Sequence, residues 1–166
     1  MLDRLLAAMN RIFEGLIAVL FFAIVIVGGL QVFNRFVLNQ SLSWSEEFMV
    51  YANVWMVFLA IPVAYSRGFH IGMNLFVKGL SARAQSALAL VVDLLWLVLA
   101  TAIVVYTFVV MGVASNQTSP AMGLRIDRVY LSLVVGWSYV ALLALRKVAG
   151  AVLFLRSGQA TEGAAC

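Results

Sequence analysis

The stretch NRFVLNQSLSWSEEFMVYANVWMVFLAIPVAY, residues 34–65, decides the fold of this chain. An uncharged apolar run ends at Asn34-Arg35, a short polar link follows, and Ser43-Trp44-Ser45-Glu46-Glu47 opens a second uncharged run that reaches Ser66. This is the pattern of two membrane-spanning helices joined as a hairpin, with charges at its mouth. Ser43-x-x-Glu46 fits a capping box, in which the serine hydroxyl accepts from the Glu46 amide and the Glu46 carboxylate accepts from the Ser43 amide. Glu46 and Glu47 fall in the first turn, where the helix dipole favours carboxylates, and Arg35 at the end of the preceding helix is their expected partner. Trp44, with an apolar body and one polar N–H, suits the headgroup layer.

Composition widens this reading to the whole chain. With 64% hydrophobic and 11% charged residues among 166, the sequence is that of a membrane protein rather than a soluble domain. A net charge of +4 could suggest a nucleic-acid partner in a soluble protein. Here most basic residues flank apolar runs, so topology accounts for them and no nucleic-acid partner is expected. Cys166 is the only cysteine, which excludes an intrachain disulfide and a cysteine metal cluster.

Uncharged stretches at 15–34, 48–66, 94–124 and 129–145 predict four spans, at about 15–36, 45–66, 85–114 and 127–147. The first stretch lacks a small-x-small cleavage site and is read as an uncleaved span. The expected organisation is an amphipathic cytoplasmic segment over 1–14 that lies on the surface and then turns inward, a four-helix membrane domain over 15–150, and a cytoplasmic tail over 151–166 whose end does not fold. Pro62 is expected to kink the second span near its end. Between spans two and three, GFHIGMNLFVKGLSAR reads as a short amphipathic segment in the cytoplasmic headgroup plane, with His70, Asn74 and Lys78 on one face. The fold class is thus an all-α integral membrane protein with four transmembrane helices.

Basic residues set the orientation. Arg4, Arg11, Arg67, Lys78, Arg83, Arg146, Lys147 and Arg156 lie in one set of connections, against Arg35, Arg125 and Arg128 in the other. That asymmetry places both termini in the cytoplasm. The mouth and the 115–128 loop, with its SNQTSP breaker and the charged entrance Arg125-Ile126-Asp127-Arg128, then face outward.

No catalytic constellation emerges. Asp93 is the deepest acid and could serve an ion relay, but a helix starting near Ala84 puts it only about 14 Å along, within reach of the cytoplasmic boundary, where a structural role is expected. Glu46 and Glu47 could act as acid and base, yet neither nucleophile nor metal ligand accompanies them, and capping, pairing or partner contact is the simpler reading. His70, the only histidine, could ligate haem only with a partner chain. Gln31, Asn34 and Asn53 are amides on apolar helices and are expected to hydrogen-bond across the bundle.

The succession Asn34-Arg35, Ser43-x-Ser45-Glu46-Glu47, Tyr51, Val54-Trp55, Phe58-Leu59, Ala64, Arg67-Gly68 and His70-Ile71 resembles the small membrane subunit of tripartite ATP-independent periplasmic (TRAP) transporters. Thr118 to Ala121 and Tyr130 to Gly136 are similar to that family's second hairpin. Asn74, where an acid is often found, and Ala60, where a glycine is common, depart from it. The resemblance implies a non-catalytic subunit of a bacterial or archaeal inner-membrane importer. A large elevator-type subunit would carry the organic anion and sodium, and a periplasmic binding protein would deliver the solute. This chain would brace the large subunit, help dock the binding protein, and bind no cofactor itself. Arg35, Ser43, Trp44, Glu46, Glu47, Trp55, Arg67, His70, Arg125, Asp127 and Arg128 are its candidate contacts to partners, and membrane lipid would cover the rest. Two other readings remain open on the residues alone: a homodimeric four-span drug antiporter working through Asp93, and a quinone or haem anchor of a redox complex.

Overall fold

In hydrocarbon every backbone N–H and C=O must find its partner within the protein, so long apolar runs fold as helices. The computed structural model describes residues 2–67 and 82–156, and holds four of them: α1 Leu2–Phe36, α2 Ser43–Ser66, α3 Ala82–Ala114 and α4 Asp127–Arg156. Each is long and apolar enough to cross a membrane, so the chain is an all-α, multi-pass membrane protein. Apart from the helices, the described residues hold one isolated antiparallel bridge, between Thr118 and Arg125. The segment expected in the headgroup plane, with His70, lies outside the described residues, as does the end of the tail.

The helices pack in the order α1, α2, α4, α3, so α2 and α4 form the inner pair. Buried residues recur at intervals of seven: Ser45, Ala52 and Leu59 on α2, Ala100, Thr107 and Ala114 on α3, Ser132 and Tyr139 on α4, Leu6 and Phe13 on α1. That period keeps one stripe of each helix against its neighbour in a gently coiled bundle. The outer faces are apolar, with Phe22, Ile26, Val98 and Val109 each more than 60% exposed. A bilayer accepts such a surface as readily as a protein core does.

The inner pair meets backbone to backbone. Pro62 has no N–H to give to the Phe58 carbonyl one turn earlier, yet α2 continues past it to Ser66. Gly136 of α4 lies against that carbonyl, so close that a Cβ there would sit 2.2 Å from the Phe58 oxygen. Only a hydrogen fits in that direction, and a Cα–H···O contact of this kind contributes about 0.5–1 kcal/mol. Proline and glycine, each unfavourable alone within a helix, here answer one another across the crossing.

One expectation is corrected. The N-terminal segment does not lie flat and then turn inward: α1 runs unbroken for 35 residues, about 52 Å. Its first turns are held in the bundle by packing and by a polar network. Leu6 and Phe13 are buried, and the Phe13 ring meets Tyr139 edge-on at 5.1 Å. The Tyr139 hydroxyl donates to Asn10 Oδ1 (2.8 Å), and Asn10 Nδ2 donates to Ser66 Oγ (2.9 Å). Arg67, just past α2, pairs with Glu14.

Gly136→Ala is expected to push α2 and α4 apart and to destabilise the folded chain by about 1–3 kcal/mol, as overpacking does in other cores. Gly29→Ala, at a position with nothing within 4 Å, serves as the control and should be neutral. Thermal unfolding of the two variants in one mild detergent checks this; equal melting temperatures would refute the backbone crossing.

Candidate functional site

The described connections, residues 37–42 between α1 and α2 and 115–126 between α3 and α4, lie together at one end of the bundle, the mouth. The first is tied back on α1. The Gln40 N–H returns to the Asn34 carbonyl (3.1 Å) around Asn39, whose φ of 52° is a left-handed conformation that asparagine tolerates. The second is a tight loop. Thr118 bridges Arg125, the Ser119 N–H donates to the Leu124 carbonyl (2.8 Å), and Gly123 takes a φ of 64° to close the turn.

Glu47 joins the two hairpins. From the first turns of α2 its carboxylate accepts from the Ser119 hydroxyl and from the amides of Ala121 (3.2 Å) and Met122 (3.0 Å). Ser119 is 2% exposed, so the loop seats itself on the acid rather than merely brushing it. A carboxylate offers only acceptors, and three converging donors fix both its rotamer and the loop above it.

Glu46 serves a different contact: Gln31 Nε2 on α1 donates to its Oε1 at 3.1 Å. The expected capping box is not formed. Leu42 occupies the cap position with extended backbone and no side-chain cap bond, so Ser43 is already the first helical residue and its hydroxyl is misplaced by one position. Ser45, fully buried, turns its hydroxyl to the Leu42 carbonyl (2.7 Å) instead. Nor does Arg35 pair with either glutamate. It is exposed in the last turn of α1, where a cation suits the helix dipole. Arg67 pairs with Glu14 and Arg125 with Asp127 (2.7 Å) instead.

The other candidates divide by depth. Trp44 packs edge-on against Phe48 near the mouth. Trp55 lies deeper and lines, with Phe48, Tyr51 and Met122, an apolar groove of about 490 Å³ whose rim carries Arg125 and Arg128. Asp127 stands in the first turn of α4; one of its oxygens takes Arg125 and the other is buried without a partner. Arg67 lies at the opposite end of α2, so the candidates do not form one site. Asp93 is also at that end, where it accepts from the Tyr65 hydroxyl (2.7 Å), while Lys147 sits 4.0 Å above the Tyr65 ring. Among the described residues no three His, Cys, Asp or Glu side chains gather as a metal site would require.

The mouth therefore fastens the α3–α4 connection onto α2 through Glu47 and presents an exposed rim. Gln31 does bond across to the neighbouring helix, as expected of an amide on an apolar helix, whereas sequence reasoning missed Ser119. The SNQTSP breaker marks the loop, but nothing local to it names Glu47, 72 positions earlier, as its anchor. Glu47→Ala should release the loop, with amide hydrogen exchange across residues 117–126 accelerating while the helix cores stay protected. Unchanged exchange at Ala121 and Met122 would remove Glu47 from this role.

A family model described as "Tripartite ATP-independent periplasmic transporters, DctQ component" matches residues 24–154. A protein of Haemophilus influenzae, named as a TRAP transporter small permease protein, is 22% identical over 130 residues, covering 78% of this chain and 81% of the relative. The isethionate TRAP transporter permease protein DctMQ of Oleidesulfovibrio alaskensis is 31% identical over 111 residues, covering 66% of this chain but only 18% of that longer protein. With four membrane-spanning helices and a family match over most of its length, this chain belongs to the DctQ component family, the small permease subunits of TRAP transporters.

Proposed function

We propose that this chain is the bracing, non-catalytic subunit of a sodium-coupled importer of an organic, carboxylated solute. It holds a large elevator-type membrane subunit in place and helps receive the periplasmic binding protein. The observation that carries the reading is the family match over residues 24–154. It is supported by the relative in which the matched stretch forms 18% of a single longer permease. A subunit built into a larger transport chain in one relative is expected to dock on a separate large chain in another. Solute and sodium would bind that large chain, and this one would hold no cofactor.

In this reading both termini are cytoplasmic and the mouth faces the periplasm of a bacterial or archaeal cell, as the asymmetry of Lys and Arg supports. The exposed rim then meets the binding protein through Arg35, Ser43, Trp44, Glu46 and the exposed residues between 116 and 128, while Glu47 shapes the surface from behind. Arg67 and His70 would serve contacts at the cytoplasmic end.

A mild-detergent pull-down from the native membrane should recover a much larger polytopic protein in about equal amount, and sodium-driven uptake by the reconstituted pair should vanish when this chain is omitted. Recovery of nothing beyond a dimer of this chain, or full uptake without it, would end the proposal. The orientation has its own test, because Cys166 is the sole thiol. A membrane-impermeant maleimide should label it in inverted vesicles and leave it unlabelled in intact spheroplasts; the reverse pattern would invert the topology.

A further inference from the structure

On α2 and its C-terminal cap, the residues Glu46, Val50, Asn53, Val57, Ala60, Ala64 and Arg67 follow one another at alternating steps of four and three. Such steps return to nearly the same side of a helix, so the seven form one straight seam. All are exposed except Ala60, which is half-buried, and Val50 and Val57 are 58% and 46% exposed. The seam is about 31 Å long, close to the thickness of a hydrocarbon core, with a charge at each end. It runs the depth of the membrane along the edge of the α1 contact, where Glu46 takes Gln31 and Arg67 takes Glu14 at its two ends, while α4 packs another side of α2.

Asn53 is out of place on a lipid-facing seam. It lies about 10 Å inward from the level of Glu46, too deep for so short a side chain to reach the headgroups. Asn34 satisfies its side-chain amide on its own helix by donating to the Leu30 carbonyl (2.8 Å), but the side-chain amide of Asn53 has no hydrogen-bond partner among the described residues. An amide left bare in hydrocarbon is unfavourable, and lipid tails offer neither donor nor acceptor. Its partner must come from another protein segment.

We propose that this seam of α2 is where a transmembrane helix of the large permease subunit docks, with a hydrogen-bonding side chain of that helix meeting Asn53. The inference rests on the reading of this chain as a small permease subunit and adds the face and the anchoring contact. A second copy fits poorly. Two chains of the same topology related by a two-fold axis would set Glu46 against Glu46, like charges facing across the mouth end of the seam, while Arg67 at the other end already has Glu14 as its partner. A different helix avoids that clash, and the relative that continues into a longer permease has such helices available within its own chain. Ala60 and Ala64 allow its backbone close approach over the far half of the seam.

The test places a photo-crosslinking amino acid at position 53 or 57, with positions 95 and 98 on the exposed face of α3 for comparison, in cells that make the whole transporter. Illumination should join positions 53 and 57 to a much larger polytopic protein, identified by mass spectrometry. Capture of that protein from 95 and 98 but not from the seam would overturn the proposed face and leave the small-subunit reading intact. A product of twice this chain's mass from the seam would give the site to a second copy, and no protein product there would give it to lipid; both refute the proposal. Asn53→Leu should reduce recovery of the large subunit roughly three- to twentyfold, the range of measured interhelical hydrogen bonds, and Asn53→Gln should restore it. The isolated Asn53→Leu chain should melt no lower than the parent. Lower melting together with unchanged recovery would assign Asn53 to the chain's own fold and overturn the inference.

Discussion

The contact between the Phe58 carbonyl and Gly136 sets the geometry on which the rest of this molecule depends. Between helices in a bilayer the hydrophobic effect supplies little drive, because lipid tails are as apolar as leucine. What remains is close packing and the satisfaction of polar groups. Pro62 creates a polar group in need of satisfaction in the interior of α2, and Gly136 lets α4 come near enough to cover it. Once these two helices are fixed, α1 lies on α2 and α3 lies on α4.

The two ends of the bundle then lock that crossing in different ways. At the mouth, Glu47 gathers three donors from a loop that follows α3, so α2 is fastened to the connection into α4. At the other end the contacts run through Tyr139, Asn10 and Ser66, and through Tyr65, Asp93 and Lys147. In each cluster the charged or polar atom is held by several neighbours, which restricts sliding of one helix along another.

The four spans were legible in the sequence because a long uncharged run has few alternatives once water is excluded, and both hairpins follow from where those runs stop. The partners of the polar residues were not. Ser43 and Glu46 have the spacing of a capping box, but the helix begins one residue earlier than that motif requires, and a shift of one position is enough to void it. Arg35 and the two glutamates are close in sequence and opposite in charge, yet Glu46 takes Gln31 and Glu47 takes Ser119, each a contact between segments. The first turns of α1 looked amphipathic enough to lie on a membrane surface. What holds them in the bundle is Tyr139, more than a hundred residues away. Local pattern specifies helices, and only the packed structure specifies which polar atoms meet.

The placement of polar side chains also separates the internal work of the subunit from its external work. Residues such as Asn10, Asp93 and Thr107 are satisfied within the chain, by Ser66 and Tyr139, by Tyr65, and by the Ile103 carbonyl. Apolar residues on the outer faces carry no such information, since lipid and protein solvate them equally well. An unsatisfied amide inside the hydrocarbon does carry it, because only a protein neighbour can answer it. On the outer faces of the helices, the chemistry that can distinguish a protein neighbour from lipid is therefore concentrated in the few polar atoms that the fold leaves unpaired.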